Sequence, residues 1–254
     1  MSATYPILEH EFDSEAKIEP SRVNQARDVP EVCVISFFRE VIEKVVAERG
    51  AKIAVDNRWE DGPHPLYEIE HQGRRVAFFH PGVGGALAAA LLEEVIAFGC
   101  RKFVAVGGAG VLEKGLEVGR LILVSAAVRD EGTSYHYLPP AREVAAHPRG
   151  VQVLEALLQR KGIPYHKAKT WTTDGPYRET PALIAARRAE GCFTVEMEAA
   201  SFMAVAQFRQ VVLAQVLYAG DDLTGPEWDP RGWQTRAEIR ENLFWLAVEA
   251  GLEL

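Results

Sequence analysis

The sequence has little cysteine, no excess of basic residues and no long apolar run. Among its 254 residues are three cysteines, and 36 acidic side chains outnumber 28 lysines and arginines, giving a formal net charge of −8. Cys33, Cys100 and Cys192 are far apart and form no CxxC pair, which favours a reducing compartment without a disulfide framework. The acidic balance argues against a protein that wraps nucleic acid, because such binding needs a basic face. It leaves room for a small anionic substrate, since a few local arginines can hold one phosphate.

The chain also lacks the features that mark export or membrane insertion. Its first residues, MSATYPILEHEFDSEAKIEP, carry acids where a signal peptide would need a basic start followed by an apolar run. No stretch is long and apolar enough to span a bilayer. We therefore expect a cytoplasmic protein with no membrane partner.

Metal and nicotinamide motifs are missing as well. The seven histidines include no HExxH or other metal-ligand spacing, so we expect no metal. The glycines of residues 82–85 do not fit GxGxxG, which disfavours a nicotinamide enzyme and leaves no resident cofactor. Trp228, Trp233 and Trp245 are expected to pack in the core or at a subunit contact rather than against a cofactor.

Apolar runs alternate with amphipathic ones, which predicts an α/β fold: one three-layer domain with a central mixed, mostly parallel sheet flanked by helices. We expect an N-terminal arm over residues 1–30 and a catalytic domain over 31–254. The predicted strands cover residues 31–36, 52–55, 66–70, 75–80, 102–106, 121–128, 165–171 and 211–218. The main predicted helices cover residues 38–49, 86–98, 151–161, 194–208 and 235–252.

Two glycine-rich segments directly follow predicted strands, residues 82–85 (GVGG) and 107–110 (GGAG). Glycine permits close backbone approach, and a helix N-terminus offers unpaired N–H groups to an anion. Two such turns on neighbouring strands could form one phosphate-sized nest. The alternative is that both segments serve only turn geometry and helix–sheet packing.

Two acidic segments also stand near the ends of predicted elements. In VEMEAA, residues 195–200, two carboxylates flank a methionine at the start of an apolar helix, where acids can simply cap the helix. A carboxylate can also accept hydrogen bonds from two adjacent ribose hydroxyls, and methionine offers a soft surface to a sugar. In AGDDLT, residues 219–224, Asp221 could donate a proton, whereas Asp222 fits a structural role in a turn.

VEMEAA resembles the ribose-binding signature of the nucleoside phosphorylase and nucleosidase family, which includes uridine phosphorylase, hexameric purine nucleoside phosphorylase and methylthioadenosine nucleosidase. Other segments follow in the family's order: HPGVGG, VAVGGAG, VGRLILVSAAVRDEGTSYHY, TTDGPYRET and AGDDLTG. The resemblance covers roughly residues 31–250. VEMEAA is its specific part, since glycine loops alone are not distinctive.

The resemblance implies roles for four residues at the sugar and the leaving base. Glu198 would hold the ribose 2′ and 3′ hydroxyls, with Met197 against the sugar and Glu196 supporting the site. Asp221 aligns with the aspartate that protonates N7 of a purine. Because uridine phosphorylases lack that aspartate, the resemblance favours a purine.

The resemblance also implies how the base and the phosphate are held. Tyr177 would stack on the base, while Arg178 and Glu179 would read its edge. The implied phosphate-binding residues are Gly84, Gly108, Arg39 and Arg58. The place of Arg58 is near that of an arginine reaching a neighbouring subunit, so a homo-oligomer, a dimer or a hexamer, is expected.

Two departures from the family pattern concern the phosphate. The phosphorylases usually carry an arginine where this chain has Ala105, and their first phosphate loop reads like GDPDRV, where this chain has SFFREV over residues 36–41. We expect cleavage of a purine ribonucleoside by inorganic phosphate, as co-substrate, to base and ribose 1-phosphate. Hydrolysis by water, a uridine-type phosphorylase and a non-catalytic nucleoside-binding protein remain alternatives.

Overall fold

A computed structural model describes residues 5–11 and 15–254 of the chain. The strands are β1 (Val32–Ser36), β2 (Lys52–Val55), β3 (Arg58–Trp59), β4 (Gly62–Pro63), β5 (Leu66–His71), β6 (Arg74–Phe79), β7 (Lys102–Val111), β8 (Leu121–Asp130), β9 (Glu143–Ala145), β10 (Tyr165–Thr173), β11 (Cys192–Glu196) and β12 (Val212–Asp222). The helices are α1 (Pro20–Val23), α2 (Arg39–Arg49), α3 (Gly85–Phe98), α4 (Pro148–Arg160), α5 (Pro181–Ala189), α6 (Ala199–Phe208) and α7 (Ala237–Glu253).

One large mixed sheet forms the middle layer. Its strands follow the order β11-β10-β8-β12-β7-β1-β6-β5-β2, and β9 pairs with β8. β11 pairs with β7 as well as with β10, so five strands, β7, β12, β8, β10 and β11, make a closed ring of pairings. The neighbours β6, β1, β7 and β12 are parallel, and their carboxyl ends therefore meet at one edge of the sheet.

Helices cover both faces of the sheet. Successive side chains of a strand point to opposite faces, and both faces of the central strands carry apolar side chains that the helices bury. In β1, Val32 and Val34 pack into a cluster that includes buried side chains of α2, α4 and α7. Cys33 and Ile35 pack into a second cluster with α3 and α6. The predicted three-layer α/β architecture is thus confirmed.

Several local predictions hold to within a few residues. The predicted strands over residues 66–70 and 75–80 are β5 and β6, joined by a turn at Gln72 and Gly73 with positive φ angles of 51° and 74°. Gly99 ends α3 with its N–H bonded to the carbonyls of Val95 and Ile96. Most strands run longer than predicted, since pairing with neighbours extends them beyond their apolar runs.

The predicted glycine turn at residues 107–110 is wrong, because β7 continues through these residues to Val111. Backbone pairing with β12 and then with β11 keeps the chain extended there. The glycines instead provide space: a Cβ on Gly108 would lie 3.0 Å from the Tyr218 ring, and one on Gly110 would lie 2.6 Å from Leu223. Residues 107–110 therefore do not form the glycine turn that was expected to complete a phosphate-binding nest with residues 82–85.

The predicted helix over residues 194–208 is wrong in its first part. Residues up to Glu196 belong to β11, which pairs with β10, and α6 begins only at Ala199. The carboxylate of Glu196 accepts the N–H groups of Glu198 and Ala199, at 2.8 and 2.6 Å, and so caps the helix from the end of the strand. VEMEAA is thus a strand-to-helix junction.

The N-terminal arm over residues 1–30 stays a prediction. Residues 1–4 and 12–14 lie outside the described part of the chain, and the described part of this segment contains a 3₁₀ turn (Pro6–Leu8) and α1. Within the described ranges no helix has both the length and the apolar composition to cross a membrane.

Candidate active site

Two adjoining cavities open where the parallel strands end, the position at which open α/β sheets bind ligands. The larger, of about 630 Å³, is lined on one side by Asp221, Glu179 and Tyr177. The smaller, of about 250 Å³, is lined by Glu198 and by side chains from β12 and α7. The residues common to both walls are Gly108, Glu196, Met197 and Trp233. Glu198 and Asp221 therefore line two neighbouring cavities that have these four residues in common.

Glu198 is held in place from across the fold. Its side chain is 6% exposed, and its Oε1 accepts a 2.5 Å hydrogen bond from the backbone N–H of Gly84. Burial, and then the charge of neighbouring Glu196, raise the pKa of Glu198 to about 8. A buried carboxyl whose proton is held this strongly is a feature of functional sites.

Close packing of α3 on α6 brings Gly84 within reach of Glu198. A Cβ on Gly85, the first residue of α3, would lie 2.4 Å from the Ser201 hydroxyl of α6. Gly84 itself has φ +92°, a conformation that L side chains rarely adopt. This glycine pair therefore lets the loop after β6 approach the start of α6.

Glu196 is fully engaged within the protein. Besides the two helix N–H groups, it accepts a 2.6 Å hydrogen bond from the Thr172 hydroxyl. The Thr172 oxygen in turn accepts from the N–H of Ala200 at 3.0 Å. Burial outweighs these bonds and raises the pKa of Glu196. Glu196 holds the junction that carries Glu198.

Asp221 lies near the end of β12 at the larger cavity. Its Oδ2 accepts a 2.7 Å hydrogen bond from the indole N–H of Trp228. Glu179 lies close enough for the charge of Asp221 to act on it: burial, and then Asp221, raise the pKa of Glu179 to about 7. The cavity thus holds two carboxyl groups, of which Glu179 keeps a proton near neutral pH.

Asp222, the neighbour of Asp221, is used for structure. Its Oδ1 accepts from the N–H of Thr224 at 2.7 Å, and Oδ2 lies 3.6 Å from Arg231. Its backbone also pairs with Asp229. These contacts match the structural role expected from the sequence.

Of the three residues expected at the base, two line the larger cavity. Tyr177 lies at its rim with 97% of its surface exposed, and Glu179 lies further in, half-buried. Arg178 is exposed and is absent from the cavity wall. Tyr177 is thus available for stacking, whereas Arg178 does not line this cavity.

The residues expected to bind phosphate do not come together at one place in the structure. Arg39 is exposed at the start of α2, near His80, and with burial it lowers the pKa of His80. Arg58 is exposed on the short β3–β4 hairpin, where it pairs with Asp56 at 3.3 Å. Neither arginine lines the two cavities. Gly84 lies at the loop before α3, with its N–H bonded to Glu198.

Sequence reasoning missed four side chains that line these cavities. Trp228 and Trp233, expected in the core or at a subunit contact, line the larger cavity instead. Gln215 and Arg240 line the smaller one. Gln215 lies within an apolar strand and Arg240 within a helix, so no local pattern marked them. The two tryptophans follow AGDDLTG in a loop, and their position after a predicted strand end was the available signal.

In the described part of the chain, no cluster of three or more histidine, cysteine, aspartate or glutamate side chains is arranged to hold a metal ion. The side chains that line the two cavities include carboxyl groups, two tryptophans and one amide. Together they can hold a ring, protonate it and grip a sugar.

Comparison with known proteins agrees with the α/β fold. A sequence model of the Phosphorylase superfamily matches residues 31–243. The chain belongs to this superfamily. A uridine phosphorylase from Thermococcus kodakarensis is 33% identical over 108 residues, 42% of this chain and 39% of that protein. A DeoD-type purine nucleoside phosphorylase from Streptococcus thermophilus is 25% identical over 194 residues, 74% of this chain and 85% of that protein.

The first two curated relatives match over only about two-fifths of their own length, 39% and 42%. Among solved structures, an AMP nucleosidase from Bacteroides thetaiotaomicron aligns with a TM-score of 0.72 at 21% identity, over 89% of this chain and 88% of that one. At this identity the likeness concerns the fold. The named relatives are nucleoside phosphorylases of both the uridine and the purine type.

Proposed function

We propose that this chain cleaves the N-glycosidic bond of a ribonucleoside, with Glu198 holding the ribose and Asp221 protonating the departing base. The observation that carries the proposal is the pair of adjoining cavities, with Glu198 in one wall, Asp221 in the other, and Met197 in the wall that both share. A base beside Asp221 would place its ribose over Met197 and within reach of Glu198.

In the proposed reaction the C1′–N bond breaks and its electron pair stays on the base. Positive charge develops on the ribose, and a proton from Asp221 neutralises the base. A positioned acid of this kind contributes about 10²–10⁴-fold to the rate. We favour a purine, because its N7 can take the proton; Tyr177, Arg178 and Glu179 are proposed to hold the base.

Inorganic phosphate is the acceptor that the family resemblance implies, and it would yield ribose 1-phosphate. Gly84 and Gly108 would lie beside it, and Arg39 would add positive charge. Arg58 would be contributed by a second copy of the chain, in a dimer or a hexamer. We also propose that the enzyme acts in the cytoplasm, where its three buried free cysteines would stay reduced.

Water is the second candidate acceptor, and the charges of the smaller cavity favour it. Among its lining residues the one cationic side chain is Arg240, and Glu40 pairs with it at 2.7 Å. The N–H of Gly84 is already bonded to Glu198. In the described part of the chain this cavity therefore offers little uncompensated positive charge to a phosphate dianion.

One panel of assays tests the proposal. Inosine, guanosine, adenosine, uridine and AMP are incubated with the protein, with and without phosphate, and base and sugar products are separated by chromatography. Release of base supports the proposal; ribose 1-phosphate identifies phosphate as the acceptor, and free ribose identifies water. Binding of a nucleoside without any product would contradict the proposal and indicate a non-catalytic nucleoside-binding protein.

A further inference from the structure

Gln215 is a polar side chain buried at the smaller cavity without a partner. It lies in the middle of β12, is 1% exposed, and lines the cavity together with Leu217, two positions along the same strand. Neither its Oε1 nor its Nε2 has a hydrogen-bond partner among the described residues. Its strand neighbours Ala214 and Val216 pack into the apolar core on the opposite face.

An unpaired buried amide destabilises a fold, and most buried polar groups are hydrogen-bonded. A leucine or a methionine would fill the same place in an apolar strand at no such cost. The amide of Gln215 lines the cavity that Glu198 and Arg240 also line, so a small bound molecule can reach it. This combination of burial, missing partners and cavity position indicates a ligand rather than a packing role.

We infer that Gln215 binds the attacking group of the reaction and that this group is a water molecule. The inference rests on the proposed function and selects the hydrolytic form of it. An amide offers one acceptor oxygen and one donor nitrogen, and a water molecule, being both donor and acceptor, matches both. A phosphate dianion has a single O–H donor among four oxygens, and its negative charge would lie in a buried space.

The charges around the cavity agree with a neutral attacking group. Its acidic wall residues are Glu196 and Glu198, both buried. Its one cationic wall residue, Arg240, is held by Glu40 through contacts at 2.7 and 3.2 Å and donates to the carbonyl of Gln234 at 2.8 Å. Bringing a dianion into this space would bury its charge where little positive charge compensates it. Water carries no such penalty.

The step balances with groups that the cavity supplies. The C1′–N bond breaks and its electron pair stays on the base, which takes a proton from the protonated form of Asp221. A lone pair of the water oxygen forms the new C1′–O bond, and the water releases one proton. Glu196 already accepts hydrogen bonds with both oxygens, so Glu198, in its ionised form, takes the released proton. Glu198 then returns a proton to solvent and Asp221 takes one up, which gives free base and free ribose.

The test is the kinetics of Gln215→Leu in phosphate-free buffer, with any nucleoside of the panel that releases base. We expect free ribose from the unaltered protein and a fall in kcat on the order of 10²-fold in the variant, because the attacking water is no longer positioned. KM for the nucleoside should stay within about twofold, since Gln215 binds water and not the nucleoside. The control is Gln152→Leu, an exposed glutamine of α4, which should leave both constants unchanged.

A structural role for Gln215 would give a different result. Replacing an unpaired amide by an apolar side chain should keep or raise the melting temperature, whereas loss of a structural contact would lower it. Gln215→Met, unbranched and of similar length, repeats the measurement if the leucine variant folds poorly. Unchanged kcat in both variants, or a raised KM with unchanged kcat, would overturn the role of Gln215.

Product identity separates the failure of this inference from that of the proposed function. Ribose 1-phosphate formed only when phosphate is added, with no free ribose, would overturn water as the acceptor and leave nucleoside cleavage standing. No release of base from any nucleoside, under either condition, would overturn both. Free ribose without phosphate, together with the kcat loss in Gln215→Leu, supports both.

Discussion

The backbone N–H of Gly84 donates a hydrogen bond of 2.5 Å to Oε1 of Glu198, although the two residues are 114 positions apart in the sequence. The bond joins the loop after β6 to the start of α6. It fixes the acid proposed to hold the ribose and uses the N–H that the family resemblance assigned to phosphate. The glycine loop in this chain therefore contacts Glu198 directly.

Glu198→Gln should stabilise the protein at alkaline pH. The folded-state pKa of Glu198, raised to about 8 from an ordinary value of 4.5, means that the unfolded chain loses this proton first as pH rises. The folded state therefore loses relative stability between about pH 4.5 and 8, and stays penalised above that range. Glutamine cannot ionise, and its oxygen can still accept from Gly84.

Urea unfolding at pH 4 and pH 8.5 measures this effect. The gain of Glu198→Gln over the unaltered protein should be close to zero at pH 4 and largest at pH 8.5. The control Glu60→Gln, at an exposed position, should show no such growth. A variant that is less stable than the parent at pH 8.5 would contradict the buried, proton-holding state of Glu198.

Thr172→Val should destabilise the fold by about 1–3 kcal/mol. The hydroxyl both donates to Glu196 and accepts from the N–H of Ala200, so its loss leaves two buried groups unpaired. Denaturant unfolding gives the change in free energy. Thr235→Val removes an exposed hydroxyl bonded to its own turn, to the Gly232 carbonyl, and should cost much less. Equal losses in the two variants would argue against Thr172 as a support of the junction.

Asp221→Asn should lower the pKa of Glu179. Removing the charge of Asp221 removes the smaller cause of the shift, while burial keeps the pKa above its ordinary value. Carboxyl ¹³C NMR titration measures it, and Glu179→Gln assigns the signal by its disappearance. A Glu179 titration that is unchanged in Asp221→Asn would show that the two carboxyl groups do not interact.

Trp228→Phe should lower kcat/KM for nucleoside cleavage about tenfold, since Asp221 loses the donor that orients it. The matched control is Trp59→Phe, because the Trp59 indole donates to a carboxylate, Glu94, at 2.9 Å without lining either proposed cavity. Steady-state assays on both variants give the comparison. Equal activity of Trp228→Phe and the parent would show that the indole of Trp228 does not orient Asp221 for the reaction.

Local patterns in the sequence predicted the layers and most elements, whereas the roles of Glu198 and Asp221 stay predictions. They worked where the signal was local, as in the alternation of strands and helices. The predicted turn at residues 107–110 was wrong because glycine's preference for turns was overridden by pairing of β7 with β12 and β11. Glycine there serves close packing against Tyr218 and Leu223.

The parts of the site that could not be predicted depend on contacts between distant segments. Neither sequence segment predicts the hydrogen bond from Gly84 to Glu198. Gln215 lies within VVLAQVLY, where one polar residue in an apolar run does not reveal which face it occupies. Arg240 reads as a surface residue of an amphipathic helix, yet it packs over Phe38 and pairs with Glu40. Only the folded chain brings these groups together.

Discrimination between inosine and 2′,3′-dideoxyinosine, in the parent protein and in Glu198→Gln, tests the grip on the ribose hydroxyls most directly. If another nucleoside of the panel is the better substrate, its own dideoxy analogue replaces inosine. We expect the parent to prefer the ribonucleoside by about 10²-fold or more in kcat/KM, and Glu198→Gln to lose most of this preference. A preference that is the same in both proteins would contradict the assignment of Glu198 to the sugar.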